Sequence, residues 1–213
     1  DPPEQPRSKP QPRWYRRLAL NLGLGAEEKL RDTLTRAIED PSNGAQEFST
    51  QERLMLLNTL RFGGLRVSDV MVPRVDVVAI SEDASAAGLL RLFSEAGHSR
   101  IPVYRETLDD PQGMVHIKDL MSWIAKSASR GPANGGADGL HLQEVDMTAP
   151  ISSIGIVREV LFVPPSMPAV DLLLRMQTTH IHLALVVDEY GGTDGLVSIE
   201  DLVEEIVGDI EDE

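Results

Sequence analysis

The chain of 213 residues contains no cysteine and is short of positive charge, with 20 lysines and arginines against 34 aspartates and glutamates. Without cysteine there is no disulfide, thiol nucleophile or cysteine-ligated metal, a composition that fits a cytoplasmic protein. The net charge of −14 leaves no basic face to neutralise successive phosphates of a nucleic acid, so no nucleic-acid partner is expected. A mononucleotide needs only one or two cations and is not excluded. No stretch approaches the roughly 18 consecutive apolar residues of a membrane-spanning helix, so no direct span is expected. Also missing are a nucleophile paired with a base, a phosphate-cradling glycine loop followed by lysine, and a reactive carboxylate pair. No enzyme activity is expected.

What the chain does contain is a repeat. Gly195-Leu196-Val197-Ser198-Ile199-Glu200-Asp201 reads as a strand, a turn and a helix start, and Gly113-Met114-Val115-His116-Ile117-Lys118-Asp119 repeats it. In the second copy Gly195 permits close backbone approach, Ser198 is a good N-cap, and Asp201 falls on the first helical turn. A carboxylate there can accept hydrogen bonds from the cis-diol of a ribose, and helix N–H groups suit a phosphate. From this stretch alone a merely capped helix is the better explanation of the residues. Upstream, residues 77–80 and a helical run over 89–96 match residues 160–163 and 170–176. A further strand follows in each copy, 100–104 and 183–187, so the unit is β-α-β-β-α used twice. Duplication at this length predicts two small units packed with approximate two-fold symmetry.

The run Ser99-Arg100-Ile101-Pro102-Val103, then Gly113-Met114-Val115 and Lys118-Asp119-Leu120, resembles a CBS domain, and the pair resembles a Bateman module. The stretches Asp69-Val70-Met71-Val72-Pro73-Arg74 and Asp188-Glu189-Tyr190-Gly191-Gly192-Thr193-Asp194-Gly195, continuing through Asp201 to Gly208, resemble the CorC/HlyC family of magnesium and cobalt efflux proteins, also called haemolysin-like. The resemblance covers roughly residues 66 to 213. It implies an α+β fold of tandem CBS domains preceded by N-terminal helices. It also implies a regulatory module that binds AMP or ATP, with Mg²⁺ through the phosphates, and is linked to magnesium or cobalt efflux. A homodimer, a membrane ion-transport partner and a cytoplasmic location peripheral to the inner membrane follow from it. The alternative is a dimerisation scaffold with vestigial nucleotide grooves. A secreted membrane-damaging protein, which the haemolysin label invites, is disfavoured by the lack of a strong amphipathic segment.

The nucleotide-binding residues so implied are Met71, Ser99, Arg100, Pro102, Asp119, Ser198 and Asp201. Met71-Val72-Pro73 is expected at the lip of one groove. His116 stands where the other copy has Ser198, which sets the first half-site apart and leaves one better site, built from Ser198 and Asp201 with Ser99, Arg100 and Pro102. His180 and His182, two apart, face one side of an extended segment, but no third metal ligand is evident. The chain begins at Asp1 rather than methionine and reads as a piece of a longer protein.

The expected organisation is a disordered proline-rich tail over 1–13, a helical region over 14–65, a first CBS domain over 66–126, a flexible linker over 127–141 and a second CBS domain with an acidic end over 142–213. Within the helical region, a basic amphipathic stretch covers 14–24, and helices are expected over 27–38 and 50–62. Leu54, Leu57, Leu60 and Phe62 are expected to face the core, with Gly63-Gly64 closing the second helix.

Overall fold

The computed structural model describes residues 26–39, 48–129 and 141–208. The tail over 1–13, the basic stretch over 14–24, most of the linker and the acidic residues 209–213 lie outside them. The chain divides into two units between Leu60 and Arg61. In the first, α1 (Ala26–Glu39) exposes Leu30 and Leu34. Helix α2 (Thr50–Phe62) starts at Ser49, whose hydroxyl accepts from the Glu52 N–H at 3.2 Å while the Glu52 carboxylate accepts from the Ser49 N–H at 2.7 Å. This reciprocal cap satisfies two otherwise unpaired amides. Leu54 is exposed, whereas Phe62, the last residue of α2 and already a member of the second unit, is buried in that unit's own core.

The second unit holds two four-stranded sheets. The first half of the repeat contributes β2 (Ile80–Ser81), α4 (Ala86–Ala96), β3 (Arg100–Tyr104), β4 (Pro111–His116) and α5 (Ile117–Ala128), preceded by α3 (Val67–Val70) and β1 (Val72–Pro73). The second half contributes α6 (Ile151–Ile154), β5 (Val157–Arg158), β6 (Leu161–Val163), α7 (Ala169–Thr179), β7 (Leu183–Val187), β8 (Thr193–Ser198) and α8 (Ile199–Val207). In each half a parallel pair, β2 with β3 or β6 with β7, is bridged by a helix, and a hairpin follows. Parallel neighbours require such a crossover, whereas antiparallel ones need only a turn. The helix α4 that bridges the first pair begins at Ser85, whose hydroxyl accepts from the Gly88 N–H, and ends at Gly97 in the left-handed conformation. Leu89 and Phe93 lie inward on it, one turn apart.

The repeat alone does not reveal how the halves are joined. The sheet orders are β2-β3-β4-β5 and β1-β8-β7-β6, so each half completes its sheet with a strand from the other. The two repeated glycines make this exchange sterically feasible. A Cβ on Gly113 would lie 2.2 Å from the Arg158 carbonyl oxygen, and one on Gly195 would lie 2.3 Å from that of Val72. The close approach that the sequence assigns to Gly195 is therefore to the exchanged strand. Between the sheets Met114, Val160, Leu183 and Leu185 form a shared core, with Leu196 against it.

A second clasp joins the halves at the opposite loops. The Arg74 guanidinium donates to both oxygens of Asp109 and, at 2.7 Å, to the Thr193 carbonyl. The Thr193 N–H donates to Asp109 at 2.8 Å and its hydroxyl to the Leu108 carbonyl at 2.7 Å. The Arg74 guanidinium, with the Thr193 N–H, holds the Asp109 carboxyl down to about 2. An aspartate in an unfolded chain titrates near 3.9, so the folded value is depressed and the clasp contributes stability above about pH 4 that is lost as pH falls toward 2. Asp109→Asn is expected to lower the melting temperature at neutral pH and to flatten that acid limb, so that its melting curve converges on that of the unaltered chain near pH 2, as followed by circular dichroism between pH 2 and 7.

Candidate functional site

A groove of about 410 Å³ opens where the entrance to β3 faces the β8–α8 turn. Its polar floor comes from the start of α8. The Ser198 hydroxyl accepts from the Asp201 N–H at 3.2 Å, and Asp201 Oδ2 accepts from the Ser198 N–H at 2.7 Å and from its hydroxyl at 2.9 Å. This is a capping box, so the capped-helix explanation of the motif is correct as far as it goes. Only Oδ2 is committed to it among the described residues, which leaves Asp201 Oδ1 for a ligand. The apolar wall is Val72, Val77, Val78 and Leu196, and the facing segment runs from Gly97 through Arg100.

Arg100 spans the halves. Its side chain leaves β3 of the first half and donates at 2.7 Å to Glu200 on the first turn of α8, with His182 Nδ1 at 3.5 Å from the same guanidinium. Burial pushes the Glu200 carboxyl up, but its own backbone N–H and the Arg100 guanidinium outweigh this and leave it below the ordinary glutamate range. Asp76 and Glu200 add carboxylates to the rim, while His98 and Arg100 supply the basic groups. An apolar wall, a carboxylate with one uncommitted oxygen and a nearby guanidinium together suit a flat base, a diol and a phosphate.

Five of the seven residues singled out from the sequence, Ser99, Arg100, Pro102, Ser198 and Asp201, line this groove. Met71 does not; its side chain packs on the core of the second half, and its neighbour Val72 lines the groove in its place. Asp119 lies at a different cavity of about 320 Å³, with Trp123, Lys126 and Arg158, where it is paired with Arg158. Sequence reasoning missed Asp76, Val77, Val78, His98 and Glu200. Glu200 sits within the repeated motif beside Asp201, and its divergence from Lys118 at the matching position was the available signal. His180 caps α7 in the left-handed conformation and His182 faces Arg100. Among the described residues no group of three or more histidines and carboxylates is arranged to hold a metal ion, and no helix is long and apolar enough to cross a membrane.

Comparison with known proteins gives a consistent result. The CBS domain family matches residues 67–126 and 151–208. A Rickettsia akari protein described as a possible hemolysin C is 41% identical over 169 residues, which are 79% of this chain and 49% of that protein. The chain spans about half the length of the first curated relatives it matches. The CBS domain of the bacterial CNNM/CorC family Mg²⁺ transporter in complex with ATP is 37% identical with a TM-score of 0.59, over 75% of this chain and 99% of that one. A CBS-domain pair with bound AMP from Klebsiella pneumoniae is 29% identical with a TM-score of 0.50, over 68% of this chain and 99% of that one.

Proposed function

The chain belongs to the CBS-domain family, as a tandem pair similar to those of CNNM/CorC transporters and hemolysin C proteins, and from this we propose that it is a non-catalytic regulatory module that binds an adenine nucleotide. The observation that carries the reading is the groove itself, which gathers Asp201 and Ser198 from one half with Ser99 and Arg100 from the other. In it Asp201 Oδ1 accepts from the ribose, the valine wall takes the adenine, and the phosphates face Arg100. Relatives with ATP and with AMP bound support this choice of ligand. With Asp76 and Glu200 at the rim, a triphosphate is favoured with Mg²⁺ on its phosphates, since Mg²⁺ prefers few carboxylates plus phosphate oxygens.

Because both halves build the groove, a nucleotide that takes Arg100 from Glu200 changes a contact between them, and occupancy is read out as altered packing. The module passes that signal to a membrane ion-transport partner that moves magnesium or cobalt, at the cytoplasmic side of the inner membrane, and acts as a homodimer. Light scattering at micromolar concentration is expected to give twice the monomer mass. Isothermal titration with AMP, ADP and ATP, each with and without Mg²⁺, tests the binding. The expected result is one equivalent of adenine nucleotide, with ATP gaining most from Mg²⁺. Absence of heat with every nucleotide would leave a dimerisation scaffold with vestigial grooves as the better account.

A further inference from the structure

We propose that Arg158 is a built-in occupant of the second groove, the one that Asp119 would serve, and that this side chain restricts the pair to a single nucleotide. The inference rests on the reading of Asp201 as the ribose acceptor. The two sheets establish which residues correspond. Val72 on β1 pairs with Leu196, and Arg158 on β5 pairs with Met114, its counterpart in the repeat. Gly195 packs against the Val72 carbonyl as Gly113 does against that of Arg158. The backbone bond from the Ile199 N–H to the His182 carbonyl is matched by one from Ile117 to Ser99. By this correspondence Asp119 stands for Asp201, His116 for Ser198 and Arg158 for Val72.

The chemistry of the two trios then differs in a connected way. In the first groove Val72 is uncharged wall, and Ser198 gives Asp201 Oδ2 two hydrogen bonds. His116 has no hydroxyl to give. Its Nδ1 instead accepts from the Lys118 N–H at 3.0 Å, a role open to the neutral ring that burial and the nearby Arg100 favour. Asp119 is thereby stripped of the cap, and its Oδ2 is buried without a hydrogen-bond partner among the described residues. The other oxygen accepts from the Arg158 guanidinium. Arginine at the valine position thus supplies the donor that the serine no longer provides, together with a positive charge that it keeps at every working pH. A ribose entering here would have to displace an ion pair, whereas in the first groove it meets a carboxylate oxygen that has no partner among the described residues.

Titration of ATP with Mg²⁺ into the unaltered chain, His116→Ser, and the double variant His116→Ser/Arg158→Val tests this, because the double variant rebuilds the valine, serine and aspartate of the first groove. One, one and two equivalents are expected, with the additional equivalent lost when Asp119→Asn is added. A second equivalent in His116→Ser alone would overturn the proposal, and so would failure of the double variant to gain one over His116→Ser. If the double variant does not fold, His116→Ser/Arg158→Ser makes the same comparison. Weaker binding of the first equivalent in Asp201→Asn, by about tenfold or more, tests the underlying reading separately. An unaltered chain that binds nothing beside a double variant that binds one equivalent would refute that reading and sustain the role of Arg158; no binding by either would refute both.

Discussion

Replacing Gly113 with alanine is expected to lower the unfolding free energy by about 3 kcal/mol, a large effect for a single methyl group. Two causes act together. Gly113 has φ of +142°, where an L side chain is strained at a cost of order 1–3 kcal/mol. The new Cβ would also meet the Arg158 carbonyl oxygen at 2.2 Å and a Val157 methyl at 2.8 Å. The first obstacle is backbone and cannot swing aside, so relief requires β5 to part from β4, which undoes the strand exchange. At roughly 2–4 °C per kcal/mol for a chain of this size, the melting temperature is expected to fall by about 10 °C. Gly97→Ala is the control. It shares a left-handed φ, of +69°, but nothing lies within 4 Å of its Cβ, so only the conformational cost of about 1 kcal/mol is expected. Thermal melts of the two variants side by side separate strain from collision. Equal losses would show that the exchanged strand yields easily.

The second large effect concerns Asp201, whose carboxylate has two roles that substitution can separate. Asp201→Ala removes the capping box, at about 1 kcal/mol of stability without ligand, and also the ribose acceptor. Charge-assisted hydrogen bonds are worth about 1.5–3 kcal/mol each, so nucleotide affinity is expected to fall about 100-fold or more, equivalent to about 2.8 kcal/mol. Asp201→Asn keeps an oxygen that can accept from the Ser198 N–H but loses the charge. It is expected to melt close to the unaltered chain without ligand and still to bind nucleotide about tenfold or more weakly. Equal nucleotide affinity in Asp201→Asn and the unaltered chain would assign this carboxylate to the cap alone.

Much of this arrangement was legible because the chain states it twice. The strands at 100–104 and 183–187 and the bounds of α2 emerged as expected, since local alternation, caps and closing glycines act over a few residues. Ser198 and Asp201 were visible as a cap, and their place in a nucleotide groove was what the resemblance to CBS domains implied. The exchange of β1 and β5 was not legible. Each is only two residues long, too short for any period, and its partner lies far along the chain. Met71 and Val72 are not told apart by sequence because the phase of the short strand β1 and of the residue before it cannot be read locally: one residue's difference decides which side chain meets the core and which the groove. Asp109 carried no local signal at all. Its importance comes from Arg74 and Thr193, which only the folded chain brings to it.

The claim that the groove between the halves is the nucleotide site is tested most directly by photolabelling the chain with an 8-azidoadenosine triphosphate and mapping the modified peptides. Label is expected on peptides containing Val72 or Val77 and Val78, where the apolar wall would hold the base. It should be removed by competing unlabelled ATP and be strongly reduced in Asp201→Ala. Label that maps away from these residues, or that survives both competition and the substitution, would contradict the account.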